Sequence, residues 1–299
     1  MAQSTTSQPS GGGRLLNTFL NRPVEDHSSG WSNLWDSGES DLWDRGKASP
    51  ALVDIVEQER ELLNPFTVDG KRKKALVPGC GRGYDVIMLA LHGFDAYGLE
   101  ISDTAVKEAE KYASAELEKP SAYHFGSEQR PSDTPGSVTF FQGDFVSFQW
   151  EFKGGIDETT KFDVIYDYTV SLIVLLVMVQ KLLTPLGQFL CALHPEQRKK
   201  WAASMARVTK PGGLLVCLEF PLYKDPNLPG PPWGLKGVHW NLLAEGGNGI
   251  ITGEVGEDGK ERRVTSSDIG DFRRVLYAKP PRSYEVAKGT DMVSVYARK

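Results

Sequence analysis

The chain has 299 residues, 40% hydrophobic and 24% charged, a balance that suits one large α/β domain of an ordinary globular protein. Its 34 lysines and arginines against 39 aspartates and glutamates leave a formal net charge of −5. That argues against a nucleic-acid partner, which calls for a basic patch or stripe. Cys80, Cys191 and Cys217 form no CxxC pair and suit neither a disulfide framework nor a zinc site, so no metal is expected and the chain reads as cytoplasmic.

Residues 1–28 read as a disordered tail, since MAQSTTSQPSGGG lacks the basic start and apolar stretch of a secretory signal. One domain is expected over 29–299. It opens with WSNLWDSGESDLWDRGKASPAL, where Trp31, Trp35 and Trp43 stand among few other apolar residues. They suit a lid packed on a core, or indole faces closing over a flat or cationic ligand. Ala51 to Leu63 has the spacing of an amphipathic helix. Ala75 to Val77 predicts a strand, Tyr84 to Leu91 a helix, Ala96 to Leu99 a second strand, and Asp103 to Leu117 a helix capped by Ser102 or Asp103. Lys119 to Ser137 is a loop, and Val138 to Phe145 and Phe162 to Thr169 are two further strands. PEQRKKWAASMARVTKPGG is a helix ending in a turn that feeds the strand Leu214 to Phe220, and RSYEVAKG with DMVSVYARK suggests a closing β-hairpin. Strands alternating with helices at this spacing predict a doubly wound, mostly parallel sheet of the Rossmann-like kind, seven-stranded with an antiparallel edge.

The turn after the first strand reads G-C-G-R-G, from Gly79 to Gly83, rather than G-x-G-x-x-G. Tyr84 and Asp85 stand where a dinucleotide fingerprint wants glycine and a helix N-terminus free for pyrophosphate. An acid there repels phosphate but can hold an amine, so the cofactor expected is a nucleoside with an amino-acid tail, S-adenosylmethionine. Gly79 and Gly81 then admit the methionine portion, and Glu100, with Ile101 beside it, ends the second strand where it can accept the ribose hydroxyls. Asp144 and Phe145 meet the adenine, and Asp167, ending the fourth strand, faces the ammonium or sulfonium.

The combination VPGCGRGYD, GLEIS, YDYT, FLCALHPEQRKKWA, VTKPGG and GPPW resembles the thiopurine methyltransferase superfamily, in its thiol and halide methyltransferase branch, over roughly Trp31 to Lys299. The resemblance implies a class I methyltransferase fold, S-adenosylmethionine as cofactor, and methylation of small soft nucleophiles such as bisulfide, thiols, thiocyanate or halides. It favours Trp31 and Trp35 as a cover for the cofactor. Tyr168 stands where other members place an arginine near the substrate, which counts against aromatic thiopurines as acceptors.

Displacement by an anion needs alignment and dehydration more than a base. Asp85 and Tyr168, with His194 and His239, are candidates to position or deprotonate a thiol, and each also suits a structural role. Pro232, Trp233 and Trp240, in a long loop at the carboxyl edge of the sheet, are expected to wall the acceptor pocket. The partners expected are a small-molecule acceptor, no nucleic acid and no membrane, with the chain a monomer. An O- or N-methyltransferase of a small metabolite, and an inactive cofactor-binding homologue, stay open as alternatives. No role is assigned to 246–265.

VSLIVLLVMVQKLLTPLGQ, Val170 to Gln188, interrupts the resemblance. It falls short of the roughly 20 apolar residues of a membrane span. Val170-Ser171 can be spelled GTNAGN and Gln188 CAG, the forms of an intron's two ends, and Leu183-Thr184 CTNAC, like a branch point. The block therefore reads as a retained intron of nineteen codons that keeps the frame, against the alternative of an amphipathic or buried helix.

Overall fold

The computed structural model describes residues 11–126, 134–152, 154–168, 189–225, 227–251, 269–285 and 287–299. The proposed insert at 170–188 and most of 246–265 lie outside them. In chain order come α1 (Gly11–Phe19), α2 (His27–Asp36), α3 (Pro50–Gln58), β1 (Lys74–Pro78), α4 (Tyr84–Leu91), β2 (Asp95–Glu100), α5 (Asp103–Glu118), β3 (Val138–Asp144) and β4 (Gln149–Trp150). Then follow β5 (Phe162–Asp167), α6 (Phe189–Ala192), α7 (Arg198–Val208), β6 (Thr209–Glu219), α8 (Val238–Leu243), β7 (Phe272–Ala278) and β8 (Met292–Arg298).

The strands form one sheet in the order β4-β3-β2-β1-β5-β6-β8-β7. β3, β2, β1, β5 and β6 run parallel, β8 is antiparallel to β6 and β7, and β4 is antiparallel to β3. The eighth strand beyond the seven expected is the two-residue β4. The chain passes from β1 to β2 on one side and reaches β5 on the other, so a crevice opens at the carboxyl ends of β1 and β5, where doubly wound sheets bind ligands. Strand pleating splits the core. Ala75 and Val77 of β1 pack with α3, α4 and α5 on one face, while Leu76 packs with α7 and α8 on the other.

Most helices start and stop where local chemistry says they should. The Ser102 hydroxyl accepts the Ala105 N–H at 3.2 Å and caps α5. Ser49 accepts the Leu52 N–H at 3.4 Å, with Pro50 at the first position of α3. α3 ends at Gln58 rather than Leu63, because the chain turns there with the Leu63 N–H donating to Glu59 O at 2.8 Å.

Two expectations are corrected. The segment 11–28 is not a tail, because α1 buries Leu15 and Phe19 against Leu34, Trp35, Leu42 and Trp43 in a satellite cluster. The partner of β8 is β7, not RSYEVAKG. In that stretch the Ala287 N–H donates to Tyr284 O at 2.9 Å, which makes a turn, and the buried Tyr284 hydroxyl donates to Lys47 O at 2.8 Å. Among the described residues no helix is long and apolar enough to cross a membrane.

Candidate active site

β1 ends at Pro78, and Gly79, Gly81 and Gly83 follow at φ +63°, +54° and +77°, the left-handed region where a side chain is strained. The turn is tied to β2 by the Cys80 N–H donating to Leu99 O at 3.2 Å. A Cβ on Gly79 would stand 2.6 Å from the Phe189 ring, so glycine there keeps the gap between turn and α6 open. A Cβ on Gly83 would stand 2.6 Å from Phe140, which makes the third glycine a packing residue between turn and sheet.

Glu100, at the end of β2, is buried. One carboxylate oxygen accepts the Gly81 N–H at 2.9 Å, and the other accepts the Ile101 N–H at 2.8 Å and the Ser102 N–H at 3.4 Å. Burial raises its pKa, and the three backbone donors oppose that shift by favouring the anion. A carboxylate has about four acceptor sites, so Glu100 is fixed in orientation with capacity left toward the cleft. At the end of β3, Asp144 accepts Val146 N–H at 2.8 Å and Ser147 N–H at 3.2 Å on one oxygen, and the Ser28 hydroxyl at 3.0 Å on the other. Phe145 is buried beside it, stacked on Trp150 at 5.8 Å and edge-on to Phe189 at 5.6 Å.

Over these carboxylates lies the amino-terminal segment. Trp31 and Trp35 each meet Trp43 edge to face, at 5.5 and 5.4 Å. Arg82, from the glycine turn, latches the segment down: it pairs with Asp44, donates to Glu108 at 2.7 Å and to the Ser40 hydroxyl at 3.0 Å, and lies over the Trp35 ring at 5.4 Å. Trp31, Trp35, Trp43, Glu100, Asp144 and Phe145 thus wall one cleft of about 850 Å³ of interatomic space, its open mouth included, with Gly79, Gly81 and Ile101 in its floor.

A second, smaller cleft of about 400 Å³ shares Trp35, Trp43 and Gly81 with the first. Asp85, Tyr168, Tyr284 and Arg45 line it. Asp85 sits in the first turn of α4 and accepts the Ser49 N–H at 2.7 Å, and burial pushes its carboxyl up to about 7. Tyr168 stacks on Tyr284 at 5.8 Å, and its buried hydroxyl has no hydrogen-bond partner among the described residues.

Not every expected residue arrives at these clefts. Successive residues of a strand face opposite sides, so while Tyr168 joins the α4 side, the Asp167 side chain turns to the α7–α8 side. There its carboxylate comes within 4.8 Å of Cys217 Sγ and a ring nitrogen of His239. Burial pushes Asp167 up to about 8, and it lines neither cleft. Trp240 is also outside both, its indole N–H donating to Glu245 at 2.8 Å and its ring under Arg274 at 4.4 Å. Trp233 is placed behind the first cleft, against His27 and His194 at 6.4 and 5.5 Å. Burial lowers both His194 and His239, the latter to about 3, and His239 packs on Trp201 away from the clefts.

Ser28 and His27, hidden in the supposed tail, and Phe189 and Gln197, which follow the proposed insert, line the first cleft without having stood out in the sequence. Trp43, offered by the sequence with Trp31 and Trp35 as a cover, also walls the first cleft.

A strained glycine turn, a buried acid at the end of the second strand, another at the end of the third and an aromatic cover together fit S-adenosylmethionine. Glu100 would take the ribose hydroxyls, Asp144 and Phe145 the adenine, and Gly79 and Gly81 the amino-acid portion. Fold and site define a class I S-adenosylmethionine-dependent methyltransferase. The profile of the Thiopurine S-methyltransferase (TPMT) family matches residues 26–180. The chain is 34% identical to a probable thiol methyltransferase 2 of Arabidopsis thaliana, over 70% of this chain and 68% of that one. It is 31% identical to thiocyanate methyltransferase 1 of the same plant, over 77% and 79%. Among solved structures, phosphoethanolamine N-methyltransferase 1 of Haemonchus contortus, with phosphoethanolamine and S-adenosylhomocysteine, superposes with a TM-score of 0.53 at 12% identity, covering 93% of this chain and 50% of that one. The chain belongs to the thiopurine S-methyltransferase family.

Proposed function

We propose that this protein methylates a small soft nucleophile: a thiol, bisulfide, thiocyanate or halide. The observation that carries the reading is the second cleft, less than half the size of the first and joined to it at Trp35, Trp43 and Gly81. The named activities of the plant thiol and thiocyanate methyltransferases support it.

When bound, S-adenosylmethionine supplies a sulfonium-activated methyl carbon, open to in-line displacement by a soft nucleophile. This chain's residues supply position and dryness. Glu100 and Asp144 fix the nucleoside end, the tryptophans exclude water, and Tyr168 with Tyr284 walls the small cleft. Alignment of this kind is worth roughly 7–11 kcal/mol. An acceptor that is already an anion needs no base. For an acceptor that arrives as a thiol, Asp85, pushed up to about 7, is poised near neutral pH to take the proton. In this reading the protein works as a monomer in the cytoplasm with no nucleic-acid partner, in keeping with its net charge of −5.

The test is an acceptor panel. Purified protein with S-adenosylmethionine is given bisulfide, thiocyanate, iodide, an aromatic thiol, a phenol and an amine, and products are read by gas chromatography and mass spectrometry. Methanethiol, methyl thiocyanate or methyl iodide is expected. Methylation confined to the phenol or amine, or to nothing in the panel, contradicts the proposal.

A further inference from the structure

The second cleft is lined by the guanidinium of Arg45, which no described residue hydrogen-bonds. Nε and both Nη atoms of Arg45 are shielded from solvent and have no hydrogen-bond partner among the described residues. A guanidinium carries five N–H donors in a fixed fork, and leaving it dry and unpaired is costly. The carboxylate whose charge reaches it is that of its neighbour Asp44. Asp44 is already taken, by the Arg82 ion pair, by the Gly46 N–H at 2.6 Å and by the Tyr84 hydroxyl at 3.2 Å. Asp85, on the same cleft wall, is held by the Ser49 N–H at 2.7 Å. Across the same cleft from Arg45 stand the phenols of Tyr168 and Tyr284. Of these, Tyr284 is committed to Lys47 O at 2.8 Å, while among the described residues the Tyr168 hydroxyl is as unpartnered as Arg45 itself.

We propose that Arg45 and the Tyr168 hydroxyl form an anion subsite that receives the methyl acceptor as a small, weakly hydrated monoanion. The inference rests on the function proposed above and deepens it by naming the charge state of the acceptor and the residue that selects it. Its chemistry suits soft anions in particular. A guanidinium is more weakly hydrated than an ammonium and stacks on aromatic faces, so it gives up water at little cost to an ion that does the same. Trp35, Trp43 and the stacked Tyr168–Tyr284 pair supply polarisable ring faces around that charge. Burial lowers the Arg45 pKa only to about 10, so the cation persists at neutral pH. An acceptor held there as its anion has no proton to lose. The cleft then needs no general base, and the negative charge brought in is matched within the protein by Arg45. Arg45 acts as a specificity and positioning residue, between the Trp43 that the two clefts share and the turn at Gly46.

Calorimetric titration of thiocyanate into the full-length protein saturated with S-adenosylhomocysteine tests this. Wild type is expected to bind thiocyanate, Arg45→Gln to bind it at least about tenfold more weakly, and Arg45→Lys to fall between, as loss or partial retention of a charged hydrogen bond predicts. The affinity of Arg45→Gln for S-adenosylhomocysteine should stay within about twofold of wild type, which reports an intact fold and first cleft. In turnover, the KM for thiocyanate should rise with Arg45→Gln more than kcat falls. No thiocyanate binding by wild type, or equal binding by wild type and Arg45→Gln, overturns the subsite. Arg45-dependent binding without formation of methyl thiocyanate from S-adenosylmethionine leaves the anion subsite standing and removes the proposed acceptor instead.

Discussion

Glu100 shows how much one side chain's surroundings decide. Three backbone N–H groups fix both its oxygens, so its role does not depend on its own rotamer freedom. Each hydrogen bond from a charged group is worth about 1.5–3 kcal/mol. Glu100→Gln should therefore raise the S-adenosylhomocysteine dissociation constant at least about tenfold by calorimetry, and an unchanged constant would remove the ribose assignment. Asp167 makes the opposite case. Its carboxyl, 3.8 when unfolded, is pushed up to about 8 by burial. The folded protein keeps a proton that the unfolded chain releases, so this contribution to stability is complete below the unfolded value and drains away as pH rises toward the folded one. Asp167→Asn has no proton to lose. Between pH 4 and pH 8 the variant's unfolding free energy should gain on wild type by about 2 kcal/mol or more in urea titrations. Parallel curves would show that Asp167 is not buried as a protonated acid. At this scale the sequence was legible where a residue's role follows from its place at a strand end, as for Glu100 and Asp144. It was not legible where the pleat decides. Asp167 and Tyr168 are neighbours in sequence and face opposite sides of the sheet, and only the packing of α4 against one face and α8 against the other separates them.

Among elements, α4 and α5 were readable to within a residue, because the glycine turn starts one and Ser102 caps the other. The amino-terminal cap was not readable. Polar residues and glycines around Leu15 and Phe19 conceal an amphipathic α1 whose Leu15 and Phe19 pack with Leu34, Leu42, the tryptophans and Ala105 of α5. That cluster is separate from the two sheet cores, which lets it open without melting them. Replacing Trp31 and Trp35 together by alanine should weaken cofactor binding and speed amide exchange over α1 and α2, while the main thermal midpoint of the unliganded protein moves little. A large drop in that midpoint would make the tryptophans part of the central core and end their reading as a cover. The β8 partner escaped detection for another reason. RSYEVAKG alternates like a strand, but Arg282 pairs with Asp54 of α3 at 2.5 Å and Tyr284 reaches Lys47, so its side chains serve the helix face and the cap rather than the sheet.

For the molecule as a whole, strand order and glycine turn together put both clefts at the reversal between β1 and β5. Tyr168 and Phe189, the described residues flanking 169–188, line one cleft each. If 170–188 is a retained intron, mature transcripts lack those nineteen codons, and a protein with them deleted is more soluble and more active. Messages that keep the codons, with lower activity on deletion, would make the block a native element. On the function proposed above, the cleft under the tryptophans holds the nucleoside and leaves the Arg45 cleft for the acceptor. A crystal structure with S-adenosylhomocysteine and thiocyanate tests both halves at once. The claim predicts ribose hydroxyls on Glu100, adenine between Asp144–Phe145 and the tryptophan cover, and thiocyanate on Arg45. A nucleoside bound elsewhere, or thiocyanate at a site that Arg45 does not touch, would contradict it.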